Sequence, residues 1–247
     1  MQLTGRTTFI TGAAGGLGAA CARLFAAAGA QLLLVDRSEQ VHDLAAELGA
    51  QAIACVGDVT SSADLDRAVR LALDQTGRVD HLIACAGVIH AGSLVETTAE
   101  AWSRVIGINL TGLFLTCQAV LPTMVAQRAG SIVTFASQYG LVAAPRLAAY
   151  CAAKGGVVQL TRSMALDYEA YNIRANCLCP GMTETRMLQD VFAQLGASRE
   201  WSVLLRAMPK PIERPEQIAE VALFLASERA AAMNGATVLA DGGYTAR

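Results

Sequence analysis

Ser137, Tyr150 and Lys154 stand at the spacing S-x12-Y-x3-K, with Asn109 upstream. Residues of those types at those intervals specify a proton-transfer device. A tyrosine in water has a pKa of about 10 and works as a base near neutral pH only when a nearby cation favours its phenolate. Lys154 follows Tyr150 by four residues in an alanine-rich, proline-free stretch, 147–166, that reads as helix. Positions i and i+4 share a helix face, with Cβ atoms roughly 5–6 Å apart. A unit charge about 4 Å away, at an effective dielectric of about 20, is worth roughly 4 kcal/mol. That could lower the tyrosine by about three units before desolvation takes some back. The sequence thus predicts a tyrosine base activated by its own helix.

Such a pair also occurs on many exposed helices, so a second motif is needed. Thr7-Thr8-Phe9-Ile10-Thr11 reads as a short strand that runs into Gly12-Ala13-Ala14-Gly15-Gly16-Leu17-Gly18, and helix-like sequence follows to Ala28. Strand, glycine turn and helix are the context a dinucleotide fingerprint requires. Gly12 is expected to make the tight turn, Gly16 to let backbone approach a pyrophosphate, and Gly18 to pack helix on strand. The helix start would offer free N–H groups to phosphate. A second strand, Gln31 to Val35, ends in Asp36, where a carboxylate can accept from both adenosine-ribose hydroxyls and repel a 2′-phosphate. The dinucleotide expected is NAD.

With both motifs in place, the chain resembles the short-chain dehydrogenases/reductases along essentially its whole length. The family's T-G-x-x-x-G-h-G matches Thr11, Gly12, Gly16, Leu17 and Gly18, and its adenine-contacting pair matches Asp58-Val59. Its active-site asparagine falls at Asn109, its serine at Ser137 and its Y-x-x-x-K at Tyr150 and Lys154. Its nicotinamide-wrapping P-G-x-h-x-T matches Pro180 to Thr185. One departure stands out, because the usual Asn-Asn-Ala-Gly after the fourth strand is Ala84-Cys85-Ala86-Gly87. A thiol is a weak donor, so the bracing the second asparagine gives the sheet is in question, while Ala86 and Gly87 still let the cofactor lie against the strand end.

The resemblance implies an NAD-dependent oxidoreductase that moves a hydride between nicotinamide and a secondary alcohol or ketone. Tyr150 would exchange the proton and Ser137 would hold the substrate oxygen. Lys154 would lower the tyrosine and hold the nicotinamide ribose, while Asn109 would anchor a water in the proton path. A shift of about two to three units would put the tyrosine's midpoint, with the dinucleotide bound, at about 7 to 8. Thr183 and Thr185 would fix the carboxamide and a phosphate. It also implies a homotetramer, paired through 98–127 and 147–171 across one two-fold axis and through 236–247 across another. Three other readings are weaker. A catalytically silent nucleotide-binding sensor usually lacks a catalytic residue, and none is missing here. An extended-type epimerase or dehydratase has a different glycine spacing and a longer chain. An acyl-thioester ketoreductase usually draws on NADPH, which Asp36 opposes.

Composition agrees. The 247 residues carry a net charge of −2, 53% hydrophobic and 16% charged residues, with no basic footprint for nucleic acid. So apolar a chain is expected to cover part of its surface with other subunits. No unbroken run of about 18 apolar residues exists and the N-terminus enters a strand almost at once, so neither membrane span nor signal peptide is expected, and the location expected is cytoplasmic. The seven cysteines form no C-x-x-C pair and the three histidines are isolated, so neither a metal site nor a disulfide framework is expected.

Short apolar runs at 7–11, 31–35, 51–56, 81–85, 130–136, 173–178 and 236–240 alternate with helical periodicity at about 17–28, 39–48, 61–76, 98–127, 147–171 and 214–226. This pattern predicts a single α/β domain, 1–247, built on a doubly wound Rossmann-type parallel sheet. The family implies seven strands in the order 3-2-1-4-5-6-7. Residues 182–211 fit no strand and are expected to form a lid, with Met187, Leu188, Val191, Phe192, Leu195, Trp201, Leu204 and Leu205 as an apolar cover. His90 and Tyr139 follow strand ends and are candidates to line the substrate pocket. Arg146 is a candidate partner for a substrate carboxylate.

Overall fold

A computed structural model describes residues 2–195 and 212–246. The apolar runs become strands β1 (Thr7–Thr11), β2 (Gln31–Asp36), β3 (Ala52–Val56), β4 (His81–Ala84), β5 (Gly130–Phe135), β6 (Ile173–Pro180) and β7 (Thr237–Ala240). They form one all-parallel sheet in the order β3-β2-β1-β4-β5-β6-β7. Register is set by alternation: Phe9 lies beside Leu33 and Leu82, and Ile10 beside Leu34 and Ile83. Phe9, Leu33, Leu82 and Ile132 pack under helices α3 (Ser62–Thr76), α5 (Gly112–Gln127) and α6 (Ala148–Asp167). The alternate set, Ile10, Leu34, Ile83 and Val133, packs under α1 (Gly16–Ala27), α2 (Gln40–Leu48) and α8 (Pro215–Ala226). Each fully buried Leu, Ile or Phe contributes about 1.5–3 kcal/mol, so a one-residue slip of any central strand would exchange two cores at once.

The expected helix 98–127 is interrupted. Helix α4 (Ala99–Ile106) gives way to a wide π-turn at Gly107–Thr111 before α5 begins. The Gly112 amide donates to the Gly107 carbonyl, five residues back, while the Asn109 side chain takes the Val105 carbonyl at 2.8 Å. A side chain inserted into the ladder is a common cause of such a turn. Ala99–Gln127 is nevertheless long and apolar enough to cross a membrane by length and composition alone, although 44% of its most apolar window is buried against the domain. Its outward face keeps Trp102 and Phe114 exposed.

Helix α7 (Arg186–Leu195) occupies the first part of the expected lid, whose two stems are clamped. Thr183 bridges Glu213, Glu184 N donates to Glu213 O at 2.9 Å, and Glu213 N donates to Met182 O at 3.2 Å. The Ala91 amide donates to Gln194 Oε1 at 2.9 Å, which docks α7 on the loop after β4. Trp201, Leu204 and Leu205 lie outside the described residues.

At the opposite, amino edge of the sheet His81 is buried between Thr8 and Ser131. Neither ring nitrogen has a hydrogen-bond partner among the described residues. Burial lowers its pKa to about 4, against the pull of Asp80 and helped by Arg6, Arg174 and Arg78. The unfolded chain takes up a proton here near pH 6.5, whereas the fold refuses it until about pH 4. Stability is therefore full above about pH 6.5 and falls as the pH drops toward 4, by about 3 kcal/mol. Urea titrations at pH 7 and pH 4.5 should show a smaller loss for His81→Leu, a swap of similar volume. An equal loss in both proteins would assign the effect to other groups.

Candidate active site

The carboxyl edge of the sheet gathers the functional residues into two adjoining clefts. The first is a cleft of about 460 Å³ lined by Gly12, Asp36, Arg37, Asp58, Val59 and Ala86 to Val88, with Gly57 and Ile108 completing it. Gly12 has φ +67°, and a Cβ on it would lie 2.8 Å from the Ala86 Cα. The close approach expected of Gly16 thus belongs equally to Gly12, pressed on the loop after β4. A Cβ on Gly18 would strike the Gly12 carbonyl, so Gly18 lets helix α1 start against the turn rather than against the strand. Gly16, at φ +53°, faces Thr185, whose Cγ2 lies 3.4 Å from the position of a Cβ.

Helix α1 has neither a side-chain cap nor an acid in its first turn. Its N-terminal amides and positive dipole end are left for an anion. Asp36 stands at the far wall, accepting from Ala14 N at 3.0 Å and Ser38 N at 2.9 Å. Asp58 accepts from Thr60 N at 2.8 Å and Thr60 Oγ1 at 2.7 Å, leaving its backbone and Val59 to shape the wall. Small residues, bare amides and a carboxylate in one groove fit a dinucleotide. Cys85 does not brace this region through its thiol, which is buried toward Cys21 with its pKa pushed up. Thr11 braces it instead: its carbonyl accepts from Cys85 N at 3.2 Å and its hydroxyl from Ala86 N at 3.4 Å.

The wall runs on from Val88 into Ile89 and the second cleft, about 630 Å³ with its open mouth. Ser137, Tyr150, Leu17, Thr183 and Thr185 line it, as do Tyr139 and the lid residues Met187, Leu188 and Val191. Ser137 lies two residues beyond β5, Tyr150 lies in the first turn of α6, and both side chains line this cleft. Their relative position rests on a residue whose role the sequence motifs did not mark. A Cβ on Gly140 would lie 2.7 Å from the Lys154 carbonyl oxygen, so the turn after Ser137 presses on the α6 backbone. The bare signal was a glycine three residues past the serine. Gly181 is a second such position, 2.7 Å from the Asp241 Cα by the same measure.

In the free protein Lys154 does not pull the tyrosine down as its helical spacing suggested. Its Nζ donates to the Phe135 carbonyl at 2.6 Å and lies 5.7 Å from the Tyr150 ring centre. Burial raises Tyr150 to about 12, opposed by the nearby Ser137 hydroxyl, and burial lowers Lys154 to about 8. Both ionised forms have lost their water, and that loss outweighs their attraction in the free protein. The Asn109 side chain is already engaged. It is buried, donating to Val88 O at 2.9 Å and Val105 O at 2.8 Å and accepting from Val88 N at 3.3 Å. Its amide is a brace, so a water in the proton path would have to use a neighbouring carbonyl.

The other pocket candidates divide. Tyr139 lines the second cleft, backed edge-on by Tyr244 at 6.1 Å between ring centres. His90 and Arg146 do not line it. Arg146 is held by Glu96 at 2.9 Å, and its backbone takes φ +62° while its carbonyl accepts from Gly92 N. Cys177 and Cys179 lie 4.0 Å apart behind Lys154, and all seven cysteines are free thiols. Among the described residues no group of three or more metal-ligating side chains converges.

A family model described as enoyl-(acyl carrier protein) reductase matches residues 12–245. The chain is 39% identical over 254 residues to 2-(S)-hydroxypropyl-CoM dehydrogenase 3 of Xanthobacter autotrophicus, covering 99% of this chain and 98% of that protein. It is 37% identical over 252 residues to oxidoreductase UcpA of Escherichia coli, with 99% and 96% covered. Among solved structures, levodione reductase superposes with a TM-score of 0.93 at 32% identity, with 99% of each chain covered. The site and fold together define a nicotinamide-using oxidoreductase. The chain belongs to the short-chain dehydrogenase/reductase family.

Removing the Asn109 brace would orphan the Val88 amide and two carbonyls. Asn109→Ala should cost about 3 kcal/mol in a urea titration. A loss below about 1 kcal/mol would mean that water replaces the side chain there.

Proposed function

We propose that this protein is an NAD-dependent dehydrogenase of secondary alcohols, running reversibly as a ketone reductase. The observation that carries the reading is the convergence of Ser137 and Tyr150 on one cleft wall, set where the cleft holding Asp36 adjoins the cleft under the lid. The nicotinamide, when bound, supplies the hydride acceptor for oxidation and the donor for reduction. Gly12, Gly16, Gly18, Asp36, Asp58, Val59, Ala86 and Gly87 would hold the adenosine and pyrophosphate end, with Leu17, Thr183 and Thr185 toward the nicotinamide.

The chain's own groups divide the remaining work. Ser137 orients the reacting oxygen by a hydrogen bond. Tyr150 takes the carbinol proton in oxidation and returns it to the ketone oxygen in reduction. As hydride leaves the carbinol carbon, the C–O bond becomes a carbonyl, so one proton and one hydride account for the oxidation. Because burial holds Tyr150 near 12 and Lys154 near 8 in the free protein, the phenolate needs added positive charge, which the oxidised nicotinamide ring would supply alongside Lys154. Asp36 favours NAD because a 2′-phosphate would meet its carboxylate; Arg37 is the one basic residue in that cleft.

The family resemblance and the exposed apolar faces support a homotetramer. Phe114 on α5 is 46% exposed, Leu166 on α6 73% and Leu239 on β7 43%, so both faces expected to pair carry uncovered apolar side chains.

Steady-state kinetics should give at least a tenfold preference for NAD over NADP in kcat/KM, about 1.4 kcal/mol. Tyr150→Phe should turn over at less than a tenth of the wild-type rate yet bind NAD with little change. Equal use of both cofactors would hand control of the site to Arg37, and an active Tyr150→Phe enzyme would move the base elsewhere. Light scattering should return four times the 25.8 kDa chain mass; a monomer at micromolar concentration would remove the assembly.

A further inference from the structure

Substrate class can be read from what the second cleft lacks. No charged side chain and no carboxamide lines it among the described residues. Its wall beyond the reacting pair is Ile89, Leu147, Met182, Met187, Leu188 and Val191. Several of the polar groups near it are engaged elsewhere. Arg146 is held by Glu96, the Thr183 hydroxyl donates to the Gly181 carbonyl at 3.4 Å, and that of Thr185 donates to the Thr183 carbonyl at 3.3 Å. The Tyr139 hydroxyl lines the cleft with no hydrogen-bond partner among the described residues, so it can pair with one substrate group.

From this geometry we infer that the substrate is an uncharged secondary alcohol or ketone with apolar groups on both sides of the reacting carbon. The inference rests on the dehydrogenase reading above. Ser137 and Tyr150 satisfy one oxygen and Tyr139 can pair with one more group; a carboxylate brought in beside them would lose its water with no cation among the described lining residues to replace it, and a polyol would bury more hydroxyls than these groups can pair. An alkyl, aryl or ester flank loses nothing of that kind and gains contact with the wall. Three methionine and leucine side chains, Met182, Met187 and Leu188, give that wall an adaptable surface, so tolerance among apolar shapes goes with rejection of charge.

A matched pair isolates the charge: methyl 5-hydroxyhexanoate and free 5-hydroxyhexanoate, oxidised with NAD by the wild-type protein. The ester should exceed the acid in kcat/KM by at least about 100-fold, 2-octanol should be oxidised, and sorbitol should not. Calorimetry on the protein with NAD, using methyl 5-oxohexanoate and 5-oxohexanoate, should show the same order, since a ketone with oxidised cofactor cannot turn over. An acid that reacts or binds as well as its ester, or a preference for sorbitol, overturns the substrate class and leaves the dehydrogenase reading intact. Ester-selective binding without turnover of any alcohol does the reverse, upholding the class of ligand and removing the reaction.

Discussion

A parallel sheet covered by helices on both faces leaves its ligands one place to meet it, the edge where the strands end. Here both faces are closed by large apolar cores. Most of the site's side chains therefore project from strand ends or from the turns and helices that follow them. Asp36 ends β2, Ser137 follows β5, and Thr183 follows β6. The clefts exist because the βα turns splay apart there, and the chemistry is the chemistry of what those turns expose.

Holding such turns together takes contacts closer than side chains allow. Gly12 against Ala86, Gly140 against the Lys154 carbonyl, and Gly181 against Asp241 are all backbone approaches that a Cβ would block. They fix distances between segments far apart in sequence, and so decide where the Ser137 and Tyr150 oxygens meet. The Asn109 side chain does the same from within a helix, giving up a regular ladder to tie the loop at Val88. Rigidity at the site thus comes from packing of main chain on main chain.

Much of this was legible in the sequence, and what was not has common physical causes. The strands showed because burial on both faces demands continuous apolar runs, and the serine, tyrosine and lysine because their spacing is local to one strand end and one helix. The π-turn at Gly107–Thr111 was invisible because it depends on where one amide side chain finds a carbonyl, and apolar periodicity carries no trace of that. The upward push of burial on Tyr150 in the free protein was hidden for a similar reason: spacing on a helix gives the distance to a charge, whereas dehydration is set by everything packed around it. Arg146 looked available until Glu96, fifty residues earlier, claimed it. Local signals were readable and long-range competition for the same groups was not.

The clamp between Met182–Glu184 and Glu213 closes the base of the substrate cover like a drawstring. Added length between those stems would be a matter of loop closure, with α7 held on the domain through Gln194 and Val191. Doubling such a loop costs only about 0.6 kcal/mol, whereas moving Ser137 by one residue against Tyr150 would undo the turn that Gly140 seats on α6. The fold therefore separates two rates of change: a reaction centre that tolerates almost no insertion, and above it an exchangeable cassette through which a descendant of this chain could acquire a new substrate without rebuilding the enzyme beneath.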